Sequence, residues 1–435
     1  LFFKLGVSAD NEWIMFKLLG DVYTFQSRNR DAYYYYLNAL ARKPYDYELM
    51  MLSKAAHDGD VRDTYVSFFP ISSIHKHILE GRGIQKEIQL EVNNIQCGNS
   101  CVFELTHVYS FGQSSILFSN DMTYLAEDYE YSDVSRSDIV ANTGKRVVIG
   151  FDKSKNIKET DSVLAEIPTE TFHIEECILL NGRASENYFH WLIEIVPQWL
   201  LIESLAEYKG LPVLINGDMP KQHFEILECL LAGAYPILKA GVNKHYNIGR
   251  AVIPEQLSRI CFNPLPGVTL RTDDVVYHPA AIKFIQDRFV SKDVVVATRK
   301  VYLSRRSSQL KVRKVLNERD VEEFFIKHGF EIVDTATLSF RQQVDLFSSA
   351  KIIAGATGAS FTNAVFCQKQ CSILFFAPQE KNIGLYFRNL FQACGIKNVI
   401  EVPGLPYSIN SSDLHADYVI SMDDLDLAFN DMEMR

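Results

Sequence analysis

Lys351-Ile-Ile-Ala-Gly355-Ala-Thr357-Gly358-Ala359-Ser360-Phe-Thr-Asn363 reads as a short apolar strand running into a turn of small residues and then a helix. Strand, tight turn and helix make the repeating unit of a parallel sheet covered on both faces. The unit recurs on either side of this stretch. Apolar runs at 174–180, 212–216, 248–253, 301–304, 330–333, 372–376 and 398–402 are expected as further strands. Between them, 187–208, 220–233, 279–290, 314–327, 339–349, 360–367 and 384–393 are expected as helices. The long helix ahead of Asp293 divides the pattern in two. The expected fold is α/β, with two doubly wound domains at 66–290 and 291–435 and ligand in the cleft at the carboxyl ends of the strands.

Upstream, 66–170 is mixed. Residues 84–92 alternate apolar and polar side chains, 102–108 and 146–151 also read as strands, and 132–145 is polar and turn-rich, an expected surface loop. Residues 1–65 read as helices. Phe16, Leu19, Gly20, Tyr23, Ala32, Tyr36, Ala39 and Pro44 occupy the signature positions of one 34-residue unit similar to a tetratricopeptide repeat. One such unit cannot bury its own faces, so it stacks on a preceding repeat or docks on the next domain. An unrelated helical hairpin is the bland alternative. The chain opens on Leu1 rather than Met, as expected of a segment of a longer protein.

The 435 residues carry 44 basic and 54 acidic side chains, a net charge of −10. That balance argues against nucleic acid as the main partner, because phosphate backbones need a basic face. It leaves room for a small basic pocket serving one phosphorylated ligand. No run approaches the ~20 apolar residues that span a bilayer. The eight cysteines include two C-x3-C pairs, Cys97/Cys101 and Cys367/Cys371. Neither has the tighter knuckle spacing of structural zinc, and scattered thiols suit a reducing compartment.

Three constellations carry chemistry. Asn187, His190, Glu194 and Gln198 fall in one stripe about 80° wide on an otherwise apolar helix, at about 100° per residue. Such a stripe is either a hydrogen-bonded buried network or an acid/base wall of a cleft. Pro197 should kink that helix. Ser304, Arg305 and Arg306 follow a strand, with Arg313 and Glu318 nearby, an arrangement suited to phosphate capture or to a solvated surface pair. Thr357, Gly358 and Ala359 form the small-residue turn, which lets backbone N–H groups approach an anion, and Asn363 lies one turn further on.

In order, N-Y-x-H-W-x-x-E…P, Y-L-S-R-R…R…N-E and G-A-T-G-A-S-x-T-N-x-x-F resemble glycosyltransferase family 61, of the bacterial polysaccharide-biosynthesis type, over about 170–380. The resemblance implies a GT-B-like architecture of two Rossmann-type domains. It also implies inversion, a nucleotide-sugar donor such as a UDP-sugar, a glycan acceptor, and neither cofactor nor obligatory metal. On family position Arg305, Arg306 and the Gly358 loop would bind the donor diphosphate, and His190 and Glu194 would face the reaction centre; Ser304, Arg313, Glu318, Thr357, Ala359 and Asn363 join the donor-binding candidates, and Asn187 the catalytic ones. The family commonly carries His where this chain has Thr357.

The bottom-up chemistry agrees. Inversion needs a base for the acceptor hydroxyl, with Glu194 slightly preferred to His190, and cationic groups for the departing diphosphate. Asp58/Asp60 and Asp424/Asp426 have D-x-D spacing but sit in or beside helical segments, and read as solvated charge. The leading expectation is a capsule or surface-polysaccharide glycosyltransferase. It would be cytoplasmic, with attachment to the inner membrane face left open, and would use its helical segment for a protein partner or self-association. A nucleotide-sugar epimerase and a non-catalytic scaffold are the alternatives.

Overall fold

The computed structural model describes residues 12–42, 47–58, 64–93, 95–112, 117–126, 148–151, 162–182, 184–241, 244–260, 270–291, 296–305, 313–378, 383–406 and 417–434. The expected loop at 132–145, with Pro44, Asp60, Cys261 and Arg306, lies outside them.

Three helices open the chain: α1 (Glu12–Phe25), α2 (Asn29–Arg42) and α3 (Tyr47–Asp58). Gly20 faces the Tyr36 ring so closely that a Cβ would collide with it. Ala32, Tyr36 and Ala39 are buried, with Phe16 and Tyr23 packed against the same cluster. The small residues thus let α1 and α2 approach while the large ones fill the seam. The helices dock on the sheet that follows: α3 lies against its first strand, and the Tyr33 hydroxyl on α2 donates to Glu166.

The strands of the first half are β1 (Thr64–Ser73), β2 (Gly83–Val92), β3 (Ile95–Phe111), β4 (Leu117–Phe118), β5 (Tyr124–Ala126) and β6 (Val148–Phe151). They continue with β7 (Ser162–Pro168), β8 (Thr171–Leu179), β9 (Val213–Asn216), β10 (Ile237–Ala240) and β11 (His245–Pro254). Their order is β10-β9-β8-β11-β3-β4-β5-β1-β7-β6, with β2 also on β3. This sheet corrects the expected doubly wound first domain. β10, β9, β8 and β11 run parallel to one another, and β5 pairs parallel with β1. The pairs β2–β3, β3–β4 and β4–β5 are antiparallel, as short connections without a crossover helix require. The sheet also coils. The register sets Ser110 opposite Tyr246, and Tyr246 opposite Phe172, yet Asn181 beyond the end of β8 donates to Ser110 (2.8 Å).

A short ribbon, β12 (Arg259–Ile260) with β13 (Val275–Val276), leads to helix Pro279–Phe289. The second half is the doubly wound part. Its strands are β14 (Arg299–Leu303), β15 (Glu331–Val333), β16 (Ala350–Ala356), β17 (Ser372–Pro378), β18 (Val399–Pro406) and β19 (Tyr418–Val419). Their order is β15-β14-β16-β17-β18-β19, parallel except for β19.

The two halves share one core. Leu180, Trp191, Leu192, Ile285, Phe361 and Phe391 belong to a single buried cluster. Buried polar bonds cross the same seam. The Tyr188 hydroxyl donates to Asn363 Oδ1 (2.6 Å), and the Tyr277 hydroxyl to the Tyr386 carbonyl (2.8 Å). Asp424 and Asp426 are exposed on helix Met422–Met434, and Asp58 ends α3.

Candidate active site

Asn187 starts the segment that follows β8. Its Oδ1 accepts from the Phe189 backbone N–H (3.0 Å), so the side chain caps the helical turn Tyr188–His190. The helix then widens into a π turn, Trp191–Ile195, and tightens into a 3₁₀ turn, Val196–Gln198, before α-helical Trp199–Glu203. Pro197 supplies the cause, since it has no N–H to continue an α-helical ladder. The expected kink is therefore a change of helical pitch, of the kind often found at functional sites.

His190 and Glu194 remain neighbours through this change. His190 Nδ1 bonds Glu194 Oε2, and the two side chains are only 1% and 2% exposed. Glu194 Oε1 accepts from Gln256 Nε2 (2.6 Å), just beyond the end of β11. The Phe189 ring packs edge-on against the imidazole, centroids 5.2 Å apart. A carboxylate bonded to Nδ1 holds the ring in the tautomer whose other nitrogen carries the lone pair. This is the geometry of a base and its orienting acid. Gln198 is buried on the same segment.

The second cluster gathers at the carboxyl ends of β14 and β16. Arg305 Nη1 donates to the Thr357 carbonyl (2.9 Å), and a Cβ on Gly358 would just touch the guanidinium, 3.5 Å away. The Arg305 N–H donates to Glu318 Oε1 (2.8 Å), and Ser304 Oγ donates to Glu322 (2.6 Å). Arg313 adopts φ 55, a left-handed conformation rarely kept by a residue with a side chain. Burial, and next the like charge of Arg305, push its pKa down to about 10. Among the described residues neither guanidinium meets a carboxylate in an ion pair. Among the described residues, Arg313 Nε and the Tyr302 hydroxyl are buried without hydrogen-bond partners, and the buried Thr357 hydroxyl lies beside Tyr418 without a partner at bonding distance. Among the described residues, two guanidiniums outside any ion pair and three buried polar atoms without hydrogen-bond partners gather here beside Glu318 and Glu322, an arrangement that can take an anion.

The structure therefore brings Ser304, Arg305, Arg313, Glu318, Thr357 and Gly358 together. Ala359 begins a 3₁₀ helix, Ala359–Phe366, where an α-helix was expected. Asn363 is 0% exposed and lies in the seam, donating to Gln343 Oε1 (2.8 Å) while accepting from Tyr188. It braces the two halves and does not line an open cleft. The sequence reading missed Gln256, Tyr302 and Tyr188. Gln256 had one signal available, its place directly after a parallel strand's carboxyl end.

Residues 188–374 match the family model described as Glycosyltransferase 61, and no curated protein matches the chain. The matched span holds His190, Glu194, Gln256, Arg305, Arg313 and Thr357. The chain is a glycosyltransferase on this match.

Proposed function

We propose that this glycosyltransferase inverts the anomeric centre of a nucleoside-diphosphate sugar as it transfers the sugar to a glycan hydroxyl, without a metal, in polysaccharide biosynthesis on the cytoplasmic side of a membrane. The observation that carries the reading is the nearness of Arg313 to Arg305, which follows β14 and bonds the Thr357 carbonyl after β16, neither forming an ion pair with a carboxylate among the described residues. Two fixed guanidiniums stabilise charge on a departing diphosphate, the task a divalent cation performs in other enzymes. The buried hydroxyls of Tyr302 and Thr357 would complete that cradle. A GT-B-type cleft between the two sheets belongs to the same proposal.

The dyad supplies the base. His190 accepts the proton of the attacking hydroxyl, and Glu194 stabilises the imidazolium that forms. Both Glu194 oxygens are already engaged, by His190 and by Gln256, which favours His190 as the proton acceptor and Glu194 as its orienting partner. That ordering reverses the preference drawn from the sequence. A general base typically contributes about 10²- to 10⁴-fold.

Titration calorimetry with UDP, GDP, CMP and dTDP tests the donor half. One nucleotide should bind, unchanged by EDTA, and the same affinity should survive in His190→Ala. Binding that needs Mn²⁺, or no binding by any of the four, would overturn the assignment of the arginine pair.

A further inference from the structure

Gln256 belongs to no motif in the sequence, yet its carboxamide is tied at two points beside the dyad. Its Nε2 donates to Glu194 Oε1 (2.6 Å) and to the Ser258 carbonyl (2.9 Å). An amide nitrogen has two hydrogens and no acceptor capacity, so both acceptors fix which way the amide points. Turning it over would set its oxygen against a carbonyl and a carboxylate. Ser258 is itself anchored. It is 0% exposed, and its hydroxyl accepts from the His278 backbone N–H (3.2 Å).

A rigid donor at Oε1 requires Glu194 to meet it as an acceptor. Ionised, Glu194 takes the Nδ1 proton of His190 at Oε2. We infer that Gln256 is a positioning residue that keeps Glu194 ionised, fixes the His190 tautomer, and sets how tightly the dyad holds its proton. The inference rests on the dyad reading above.

The sign follows from charge. With neutral His190 the dyad carries one negative charge in a buried site, and the Gln256 donor stabilises it. With His190 protonated the pair is neutral and needs the donor less. Removing the donor therefore favours the protonated pair and raises its apparent pKa. Other titratable groups surround the site. Tyr277 is buried beside Glu194, with its hydroxyl on the Tyr386 carbonyl. Glu255, one residue before Gln256, accepts from Ser100 Oγ (2.7 Å) and the Cys101 N–H (2.9 Å). His278 spends Nδ1 on the Ala280 N–H (3.1 Å), and burial pushes its pKa down. On the far side of the helical turn, His223 bonds the Ser185 carbonyl through Nδ1 (2.9 Å). None of these groups hydrogen-bonds Gln256 itself, whose partners among the described residues are Glu194 and Ser258.

Ring-nitrogen NMR on the full chain tests this without a substrate, with His190→Ala used to assign the signal. Wild-type His190 should carry its neutral-state proton on Nδ1. Gln256→Met should raise the His190 titration midpoint by about one unit. Gln256→Glu, which keeps the shape and adds a second carboxylate, should raise it further. A structural glutamine would instead lower the melting temperature and leave the midpoint where it was. Unchanged midpoints in both variants, or a wild-type proton on Nε2, would overturn the inference. The base role is judged separately: an active His190→Ala enzyme removes that role, while a shifted titration still assigns Gln256.

Discussion

At the scale of single residues, Arg305 and Thr357 are the informative pair. Arg305→Ala removes a charge-assisted contact and should weaken nucleotide binding by about 10- to 100-fold, read by calorimetry. Thr357 is more diagnostic, because its hydroxyl is buried with no partner at bonding distance among the described residues. Thr357→Val keeps the shape and deletes a group that folding leaves unsatisfied. Urea unfolding of Thr357→Val should therefore match the wild type within about 1 kcal/mol, while nucleotide affinity falls. A large loss of stability with affinity intact would show that the hydroxyl serves the fold and not a ligand. The basic strand end and the small-residue turn were legible in the sequence, because both chemistries lie in contiguous motifs. The roles of Asn187 and Asn363 were not. Which polar side chains cap a turn or brace a seam is decided by partners far away in the chain, such as Tyr188 and Gln343 for Asn363.

Among the elements, legibility followed burial on two faces. β14, β16 and β17 sit inside a parallel sheet and read as unbroken apolar runs, so their positions could be taken from the sequence. β4, β5 and β7 belong to the mixed sheet, where short strands pair antiparallel and no periodic run marks them. The switch from π to 3₁₀ pitch around Pro197 was equally hidden, since the i, i+4 spacing of His190 and Glu194 looks the same in either case. Helix Lys221–Leu231 carries a testable tie of its own. His223 stacks on Trp191, and its Nδ1 meets the Ser185 carbonyl (2.9 Å). Burial pushes its pKa down to about 4, from 6.5 for a free ring. Between those values the unfolded chain binds the proton and the folded chain does not. Stability should therefore fall as pH drops through that window, by about 3 kcal/mol in total. Urea midpoints at pH 7.5, 5.5 and 4.5 should show the decline, and His223→Asn should flatten it. A decline of equal depth in the variant would move the origin to other groups, such as Glu104. There burial opposes ionisation, but Lys86, Tyr208 and Arg250 hold the carboxyl below its usual range.

For the whole molecule, α1 to α3 lie outside the span that matches the glycosyltransferase family, and no donor candidate comes from them. Deleting the first 62 residues should leave nucleotide affinity within about twofold and lower the melting temperature. The cut would strip Tyr33 from Glu166 and uncover the sheet beneath. An affinity loss of tenfold or more would make the helices part of the site. The seam between the sheets has a kinetic meaning. A hinge that swung the halves apart would break Tyr188 from Asn363 and Tyr277 from Tyr386, and would wet the aromatic contact of Phe189 with Phe387. Each buried partner lost costs about 1–3 kcal/mol, so a cycle that required wide opening would be slowed by it. Small local movements at the mouth avoid that cost, and scattering curves with and without bound nucleotide should superimpose.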